Sequence, residues 1–368
     1  MHKITLVLHD LRGGGAEKMM VRLANQMAED GDQIEMILIT EGGSNKAFLS
    51  DKVTLTELKC IRTLNAFGPL RRALKKSKPD AILAVLTHIN VITAIVCFSL
   101  GWIKRLSVSE RNTFSLDKKV NTNAVMRTAY FLAPLVYRLL PKPVIAVSQG
   151  VAQDLVDTTM VRQKDVITAP NPVITKEIEE ASKAPPSHPW LKDKTKPVII
   201  SVGRLAYQKG FDMLLDALFR VRETIDCRLI IYGEGELREQ LQKQAESLGI
   251  TEDVDFPGYT DNPVAEMKAA DLYVLSSRFE GSPNAIVEAM SVGTPVVAFD
   301  CPHGAREILK DGEIAPLVEY QNVEELACKM ASTLAKTYDT AKATEIVKDK
   351  FTSENSAQAY RDLLVSKK

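Results

Sequence analysis

Two glutamates flank a turn of small residues that opens an apolar run. Residues 278–288 read RFEGSPNAIVE, so Glu280 precedes the turn and Glu288 lies about one helical turn beyond it. The start of a helix offers backbone N–H groups and a positive dipole end, which suit a phosphate, and proline is tolerated there. The turn consists of Gly281, Ser282, Pro283 and Asn284. The two carboxylates would contact different parts of one extended ligand; the alternative is a well-capped helix with two solvated acids.

A pair of cations follows a different apolar run. Residues 203–210 read GRLAYQKG, with Arg204 and Lys209 placed five residues apart after Gly203. Arginine forms bidentate hydrogen bonds to phosphate, and lysine acts as a point charge. Such charge stabilises a departing pyrophosphate without a metal ion. Two cations in an ordinary surface loop would give the same sequence.

A glycine-rich turn follows the first predicted strand. Residues 11–17 read LRGGGAE, and Gly14 and Gly15 would let the backbone approach a ligand closely. The GxGxxG fingerprint of dinucleotide-binding domains is incomplete, and no acidic residue clearly stands at the end of the second predicted strand. A dinucleotide site therefore finds weak support, and such a turn is as often structural as functional.

Short apolar runs alternate with helical patterns in two stretches of the chain. This βαβ rhythm predicts an α/β protein with two Rossmann-like, doubly wound parallel-sheet domains. Because ligands bind beyond the carboxyl ends of such strands, we expect one cleft between two facing sheets. The predicted strands are 4–8, 33–39, 81–86, 106–109 and 144–147, then 198–202, 228–232, 254–256, 272–275 and 295–299.

The length of 368 residues also favours two domains over a single core. Residues 176–197 hold four prolines and many charges, as an exposed connector does. The last segment is helical and could pack back on either half. The predicted divisions are an N-terminal domain over 1–174, a linker over 175–196, a C-terminal domain over 197–350 and a terminal helix within 351–368 that packs on the N-terminal domain.

The overall composition excludes several classes of protein. Lys+Arg and Asp+Glu both count 47, so no global field draws the chain to nucleic acid. The five cysteines are dispersed without a CxxC, and the histidines have no metal-ligand spacing, so we expect neither a disulfide framework nor a metal. The longest apolar stretch, about 89–103, is shorter than the ~20 residues that span a bilayer. The N-terminus lacks a signal-peptide pattern, which predicts a cytoplasmic protein.

Six motifs in a fixed order resemble glycosyltransferase family 4, whose members are retaining enzymes with the GT-B fold. The resemblance covers most of the chain and is densest from about residue 201 to 309. Glu280 and Glu288 resemble the E-x7-E pair of that family. The motifs are GGGAEK, APNPV, SVGRLAYQKGFDMLLDAL, IYGEGELREQL, FPGYTDN and SRFEGSPNAIVEAMSVGTPVVAFD.

The resemblance implies a nucleotide-sugar donor, a UDP-sugar by default, held by the C-terminal domain without a metal or other cofactor. Glu280 would contact the hydroxyls of the donor sugar and Glu288 those of the ribose. Arg204 and Lys209 would bind the diphosphate. The remaining donor-binding positions would be Gly14, Gly15, Gly203, Gly233, Tyr259, Gly281, Ser282, Pro283 and Asn284. Gly233 and Tyr259 belong to two stretches, 233–235 and 256–261, that would flank the nucleotide base.

The chain departs from the family at one strand end. Many relatives carry a histidine near the reacting centre, where this chain has Glu110-Arg111-Asn112. His88 follows the preceding strand and is a catalytic candidate, although it can equally be an ordinary strand-end histidine. Arg111 is a candidate ligand for acceptor or phosphate. The identity of the general base stays open, since the leaving phosphate itself can accept the proton of the acceptor hydroxyl.

The N-terminal domain would select the acceptor. Two stretches, 67–78 and 126–140, mix cations with apolar side chains and can dock on anionic headgroups, or be a solvated and a buried helix. Docking would favour a lipid-linked saccharide acceptor, in surface polysaccharide or lipopolysaccharide synthesis at the inner face of the membrane. The alternatives are a small-molecule acceptor, an epimerase or phosphorylase on a related scaffold, a non-catalytic sugar-nucleotide-binding module and a nicotinamide-dependent dehydrogenase.

Overall fold

The chain divides into two compact α/β units. The structure is a computed structural model that describes residues 1–12, 14–120, 123–336 and 338–365. The first unit comprises Met1–Val173 and Phe351–Lys368, and the second comprises Ile174–Lys350. The C-terminal segment thus returns to the N-terminal unit. Among the described residues no helix is both long and apolar enough to cross a membrane.

The first unit is built on a seven-stranded parallel sheet with the strand order β3-β2-β1-β4-β5-β6-β7. The central strands are continuous apolar runs because helices cover both faces of a parallel sheet. The order reverses between β1 and β4, whose connections leave toward opposite edges. The strands are β1 (Lys3–Leu8), β2 (Gln33–Leu38), β3 (Thr54–Glu57), β4 (Ala81–Val85), β5 (Leu106–Glu110), β6 (Val144–Ala146) and β7 (Val166–Thr168).

Seven α-helices of the first unit are described. Asn123 and Ser148 cap two of them, since each side chain accepts a hydrogen bond from a backbone N–H of the first turn. Short 3-10 turns span Ser44–Phe48, Thr63–Ala66, Ile103–Arg105 and Gln163–Asp165. The α-helices are α1 (Gly15–Glu29), α2 (Phe67–Ser77), α3 (Thr87–Leu100), α4 (Phe114–Val120), α5 (Ala124–Leu139), α6 (Gln149–Thr158) and α16 (Ser353–Val365).

The second unit contains a six-stranded parallel sheet with the order β10-β9-β8-β11-β12-β13. Its order reverses between β8 and β11. The strands are β8 (Val198–Val202), β9 (Arg228–Tyr232), β10 (Val254–Gly258), β11 (Leu272–Leu275), β12 (Val296–Phe299) and β13 (Leu317–Val318). The α-helices are α7 (Lys176–Ala181), α8 (Pro189–Lys192), α9 (Phe211–Val221), α10 (Arg238–Ser247), α11 (Pro263–Ala269), α12 (Asn284–Ser291), α13 (Ala305–Ile308), α14 (Val323–Leu334) and α15 (Ala341–Lys350), and the 3-10 turns are Tyr207–Lys209, Thr251–Asp253 and Lys310–Gly312.

Residues 175–196, predicted as a linker, lie in the second unit and carry α7 and α8. Leu191 is buried, and the Ser187 hydroxyl donates to Glu266 at 2.7 Å. His188 is also buried, with its Nε2 2.9 Å from a carboxylate oxygen of Asp255. The charged and proline-rich composition therefore belongs to a segment that packs against α11 and contacts β10.

The C-terminal helix α16 is fastened to the first unit by charged side chains. Arg361 donates to Asp32 at 2.7 Å and to Asp30 at 2.9 Å. Arg111, buried at the end of β5, donates to the Tyr360 hydroxyl at 2.6 Å. The helix therefore completes a buried polar network of this unit.

Replacing Tyr360 by phenylalanine should lower the free energy of unfolding of the first unit by roughly 1.5–3 kcal/mol, because a buried guanidinium loses one hydrogen-bond acceptor. Urea unfolding, followed for Tyr360→Phe and for Tyr338→Phe as a half-exposed control, measures the change. Equal unfolding midpoints for the two variants would show that Arg111 does not depend on this contact.

Candidate functional site

The predicted donor residues that follow β8 and β11 lie at the point where the second sheet reverses its strand order. Gly203 and Arg204 directly follow β8, and Ser276 and Ser277 directly follow its neighbour β11. The carboxyl ends of such neighbouring strands, with connections leaving in opposite directions, form the usual crevice for ligands in open α/β sheets. The topology therefore brings the loop at 203–210 beside the loop at 276–283.

A lysine, a glutamate and a serine form the centre of this crevice. Lys209 donates from Nζ to Glu280 Oε1 at 2.7 Å, and the Ser277 hydroxyl donates to the same oxygen at 2.7 Å. Glu280 is only 6% exposed, so its position is fixed by both partners. The lysine stem crosses over Gly203, where an added Cβ would lie 3.1 Å from Lys209 Cε. Glu280 is thereby held in one orientation at the edge of the crevice.

The turn before α12 is supported from beneath by a second loop. The Glu280 backbone N–H donates to the Pro302 carbonyl at 3.1 Å. Gly304 has φ +85°, and a Cβ there would approach Pro283 Cδ within 2.6 Å. Only glycine fits this position without strain. The loop at 300–304 thus positions Gly281 and Ser282, which precede the helix.

The helix α12 begins at Asn284, the last residue of the predicted turn. Pro283 precedes it at φ −74°, a value that its ring favours. Glu288 lies in the second turn of the helix and is 8% exposed. The first turn of a helix carries partial positive charge, which attracts anions. The segment 281–284 therefore presents this end of α12 on the same side of the sheet as Lys209.

Arg204 is exposed, and among the described residues no carboxylate forms an ion pair with it. The backbone around it is fixed: the Gly203 N–H donates to the Tyr232 carbonyl oxygen at 2.9 Å, and the Leu205 N–H donates to the Glu234 carbonyl oxygen at 2.9 Å. Gly233, at φ +139°, lets these two loops touch, since a Cβ there would lie 2.9 Å from the Gly203 carbonyl carbon. The guanidinium of Arg204 is thus carried on a rigid loop and is available to an anion.

Tyr259, predicted to lie beside the nucleotide base, is 79% exposed just after β10. β10 pairs with β9, and the Gly233 N–H donates to the Gly258 carbonyl at 2.8 Å. The two predicted base-flanking turns therefore adjoin each other at one end of the sheet. Their role toward a base stays a prediction.

Two histidines occupy the corresponding reversal point of the first sheet. His9 follows β1, His88 opens α3 after β4, and their rings meet edge to face with centroids 5.1 Å apart. His9 Nε2 lies 3.8 Å from an Asp10 oxygen, and Asp10 accepts from Arg12 Nε at 2.7 Å. The sequence identified His88 but not His9 or Asp10. The signal was their position directly after a central strand.

Burial keeps both imidazoles neutral near pH 7. It lowers the pKa of His88 to about 4, with a further contribution from His9, and it also lowers the pKa of His9. Burial alone would raise the pKa of Asp10, but the hydrogen bonds from Arg12 outweigh it and hold the pKa below its usual range. Neutral imidazoles can accept a hydrogen bond from a hydroxyl or donate one to it.

The glycine turn ends at the start of α1. Gly14 precedes the helix, Gly15 is its first residue, and Gly13 lies outside the described residues. Burial raises the pKa of Glu17 in the first turn. This turn follows the same strand end as His9, so it borders the histidine pair.

Glu110 and Arg111, which stand where the family resemblance predicts a histidine, are both buried. Glu110 accepts hydrogen bonds from the Tyr137 hydroxyl and from Asn90 at 3.1 Å, and Arg111 also donates to Asn171 at 2.6 Å. Burial raises the pKa of Glu110 to about 7. The guanidinium of Arg111 is thus engaged inside the first unit, and its proposed contact with a phosphate stays a prediction.

Glu110 and His88 should give opposite pH dependences of stability. Folded Glu110 keeps its proton up to pH about 7, while the unfolded chain loses it near 4.5, so its contribution to stability falls over that interval. Folded His88 loses its proton near pH 4, while the unfolded chain keeps it to about 6.5, so its contribution rises. Each change amounts to up to ~3 kcal/mol. Urea unfolding between these pH values should show Glu110→Gln gaining relative to the parent chain as pH rises and His88→Gln losing. Parallel curves for all three proteins would contradict both assignments.

Within the described ranges, no three His, Cys, Asp or Glu side chains are grouped as metal ligands. The polar groups that do converge are Lys209, Ser277 and Glu280 in the second unit, and His9, Asp10 and His88 in the first. The contribution of Ser277 was not predicted, although it stands three residues before Glu280. Each cluster lies at the strand-order reversal of its own sheet.

Two family models together match most of the chain. The model described as Glycosyltransferase Family 4 matches residues 13–177, and the model described as Glycosyl transferases group 1 matches residues 186–350. The chain is 26% identical to the lipopolysaccharide core biosynthesis glycosyltransferase LpsE of Rhizobium meliloti, over 98% of each chain. It is 28% identical to the N-acetylgalactosamine-N,N'-diacetylbacillosaminyl-diphospho-undecaprenol 4-alpha-N-acetylgalactosaminyltransferase of Campylobacter jejuni, over 88% of this chain and 87% of the other.

Solved structures share the fold over nearly the whole length. Anabaena HepE in complex with UDP and glucose superposes with a TM-score of 0.77 at 22% identity, covering 99% of each chain. WaaG, a glycosyltransferase involved in lipopolysaccharide biosynthesis, superposes with a TM-score of 0.75 at 15% identity, covering 99% of this chain and 100% of the other. The two parallel-sheet units and these neighbours confirm the GT-B fold. The chain belongs to glycosyltransferase family 4 and is a glycosyltransferase.

Proposed function

We propose that this enzyme transfers a hexose or N-acetylhexosamine from a UDP-sugar to a lipid-linked saccharide, with retention of the anomeric configuration. The product would enter a lipopolysaccharide or another surface polysaccharide, at the inner face of the membrane. The observation that carries the donor half of this proposal is the Lys209–Glu280–Ser277 cluster beside the start of α12.

Each group of that cluster has a role in the proposed reaction. The charges of Lys209 and Arg204 would neutralise the diphosphate as the sugar leaves it, and the first turn of α12 would add its dipole. Glu280, oriented by Lys209 and Ser277, would accept hydrogen bonds from sugar hydroxyls. Glu288, one helical turn inside α12, would do the same for the ribose. These interactions fix the donor sugar with its reactive carbon toward the acceptor.

The proposed transfer proceeds on one face of the sugar. The bond from the anomeric carbon to the UDP oxygen breaks as the bond to the acceptor hydroxyl oxygen forms, and the hydroxyl proton passes to the departing phosphate. The neutral imidazoles of His9 and His88 would hold the acceptor hydroxyl. This scheme accounts for retention without a carboxylate nucleophile, and Glu280 stays in its ion pair.

Relatives of comparable length support the acceptor class. LpsE is named for lipopolysaccharide core biosynthesis, and the Campylobacter relative is named for a diphospho-undecaprenol-linked substrate. HepE was crystallised with UDP and glucose, and with UDP-glucose. A lipid-linked saccharide and a UDP-sugar are therefore the first pair of substrates to test.

A thermal-shift screen against UDP, GDP and ADP tests the donor. We expect UDP to stabilise the protein by roughly 2.7 kcal/mol at a hundredfold excess over its dissociation constant, with smaller shifts for GDP and ADP. UDP-glucose, UDP-galactose and their N-acetylated forms then separate the candidate sugars. A thermal shift with GDP or ADP alone would mean that this nucleotide, and not UDP, carries the donor sugar. No shift with any of the three nucleotides would count against the proposed donor site.

EDTA should leave both the UDP shift and the transfer rate unchanged, because Lys209 and Arg204 supply positive charge to the diphosphate. The same assays with added Mg²⁺ and Mn²⁺ provide the comparison. If EDTA abolished transfer and a divalent cation restored it, Lys209 and Arg204 would not supply enough positive charge for the departing diphosphate.

A further inference from the structure

The two loops of the donor crevice are joined to each other by hydrogen bonds. Successive carbonyl oxygens of the loop after β8 accept hydrogen bonds from the loop after β11. The Ser276 hydroxyl donates to the Lys209 carbonyl at 2.9 Å, and the Arg278 backbone N–H donates to the Gln208 carbonyl at 2.7 Å. The Gln208 side chain in turn donates to the Phe279 carbonyl at 3.0 Å. The two loops therefore hold each other in one register.

The side chain of Arg278 adds a further connection and extends it to α9. Its Nη1 donates to the Tyr207 carbonyl at 2.9 Å and to Asp212 Oδ1 at 2.9 Å, and its Nη2 donates to Asp212 Oδ2 at 2.5 Å. The guanidinium carbon also lies 4.2 Å from the centroid of the Tyr207 ring. A bidentate arginine–carboxylate pair adds geometric specificity to its strength. Arg278 therefore joins the loop after β8, the loop after β11 and the first turn of α9.

The carboxylate partner of Arg278 is itself held in place. Asp212 lies in the first turn of α9, where the helix dipole stabilises a negative charge. Gln244 on α10 donates from Nε2 to the Asp212 carbonyl at 2.9 Å and to Asp216 Oδ1 at 2.7 Å. The Arg278–Asp212 pair thus fastens both loops to the helices that cover the second sheet.

The guanidinium of Arg278 is engaged inside the second unit. Its side chain is 12% exposed, and that of Asp212 is 33% exposed. Both terminal nitrogens contact Asp212, whose negative charge would repel a phosphate. These contacts suit a residue that orients its neighbours, in contrast to the exposed Arg204, which is available to an anion.

We propose that Arg278 is a positioning residue for the transfer reaction. Paired with Asp212, it holds the two loops so that Lys209 Nζ stays 2.7 Å from Glu280 Oε1 and both side chains face the donor. Lys209 lies two residues beyond Tyr207, and Glu280 lies two residues beyond Arg278, so a shift of either loop moves one of the two charges. A misplacement of about 1 Å lowers a rate by up to about a hundredfold. This inference rests on the proposed function, since Arg278 acts through the donor residues.

A double-mutant cycle on the Arg278–Asp212 pair tests the proposal. Arg278→Gln and Asp212→Asn should each lower kcat/KM about tenfold or more, and the double variant should resemble Arg278→Gln because one shared contact is lost. Both single variants should weaken UDP binding about tenfold and leave uridine binding unchanged, since Lys209 acts on the diphosphate. Arg278→Lys keeps the charge without the bidentate geometry and should restore only part of the loss. Parent values for Asp212→Asn, with a loss in Arg278→Gln alone, would assign the guanidinium to the donor and overturn the proposal.

Arg222→Gln is the matched control for lost stability. Arg222 stands at the other end of α9 and pairs with Asp253 at 2.5 Å, and its side chain is 24% exposed. The control should lower the urea midpoint about as much as Arg278→Gln does, while keeping the parent kcat/KM and UDP affinity. Equal losses of UDP affinity in the two variants would reveal a general effect on the second unit and overturn the proposal.

Hydrogen exchange of the unliganded protein separates this proposal from the proposed function. The backbone amides of 203–210 and 276–283 should exchange faster in Arg278→Gln and Asp212→Asn than in the parent chain or in Arg222→Gln, because both loops lose their shared anchor. If the parent chain did not bind UDP, the donor assignment would fail, and the exchange rates would still decide whether Arg278 positions these loops. Unchanged exchange in both loops would overturn the positioning role even if transfer were slower.

Discussion

Replacing Glu280 by glutamine should lower kcat/KM for sugar transfer by about a hundredfold to a thousandfold. Glutamine keeps the size of the side chain but removes the charge that pairs with Lys209 and the second acceptor oxygen for sugar hydroxyls. The loss should appear mainly in kcat if Glu280 acts on the departing sugar, and mainly in KM if it holds the ground state equally well. Steady-state kinetics with saturating acceptor separates these cases.

The matched control is Asp271→Asn, which lies where the strands of the same sheet begin, at the amino-terminal end of β11. Asp271 precedes β11 and forms an ion pair with Lys194 at 2.7 Å, much as Glu280 follows β11 and pairs with Lys209. The control should retain the parent kcat/KM while losing an ion pair of the same unit that is more exposed. Similar activity losses in both variants would indicate a general effect on the second unit and would remove Glu280 from the site.

Replacing both Arg204 and Lys209 by alanine should weaken UDP binding about a hundredfold or more. Each side chain offers a charge-assisted hydrogen bond to the diphosphate, and such bonds contribute roughly 1.5–3 kcal/mol apiece. Lys209→Ala also removes a cation that pairs with Glu280, so the variant combines lost attraction with stronger repulsion of the diphosphate by this carboxylate. Isothermal titration calorimetry measures the dissociation constants of UDP and of uridine for the variant and the parent chain. The difference between the two ligands isolates the contribution of the phosphates.

The comparison with uridine and one further variant makes this prediction specific. Uridine lacks the diphosphate, so the double variant should bind it as the parent chain does. Lys194→Ala removes a cation near the amino-terminal ends of the strands of the same sheet and should not alter UDP binding. If the double variant bound UDP with the parent affinity, the diphosphate would have to be held elsewhere.

Strands with strong apolar runs could be predicted from the sequence almost to the residue. β8, β9 and β11 have the predicted bounds because each is a mostly aliphatic or aromatic run bounded by turn-forming or polar residues. β3, β7 and β13 were not predicted. β3 and β7 lie at the edges of their sheet with partly exposed residues, and β13 pairs at only two positions, so none shows a clear apolar pattern.

The residues of the donor crevice could be named in advance, but their contacts could not. Lys209 and Glu280 are 71 residues apart, and only the pairing of β8 with β11 brings them together. His9 was missed because a single histidine after a strand has no motif. Glu110 stands where a reactive histidine was sought and instead lies buried against Asn90 and Tyr137. Packing, which sequence spacing does not encode, decides such cases.

The most direct test of the central claim is transfer itself. The purified chain is incubated with an undecaprenyl-diphosphate-linked saccharide and each candidate UDP-sugar, and the anomeric proton of the product is assigned by NMR. We expect one UDP-sugar to give a product that keeps the α configuration of the donor, and we expect Glu280→Gln to form it at least about a hundredfold more slowly. A β-linked product, or equal rates for the two proteins, would contradict the proposed retaining reaction at this site.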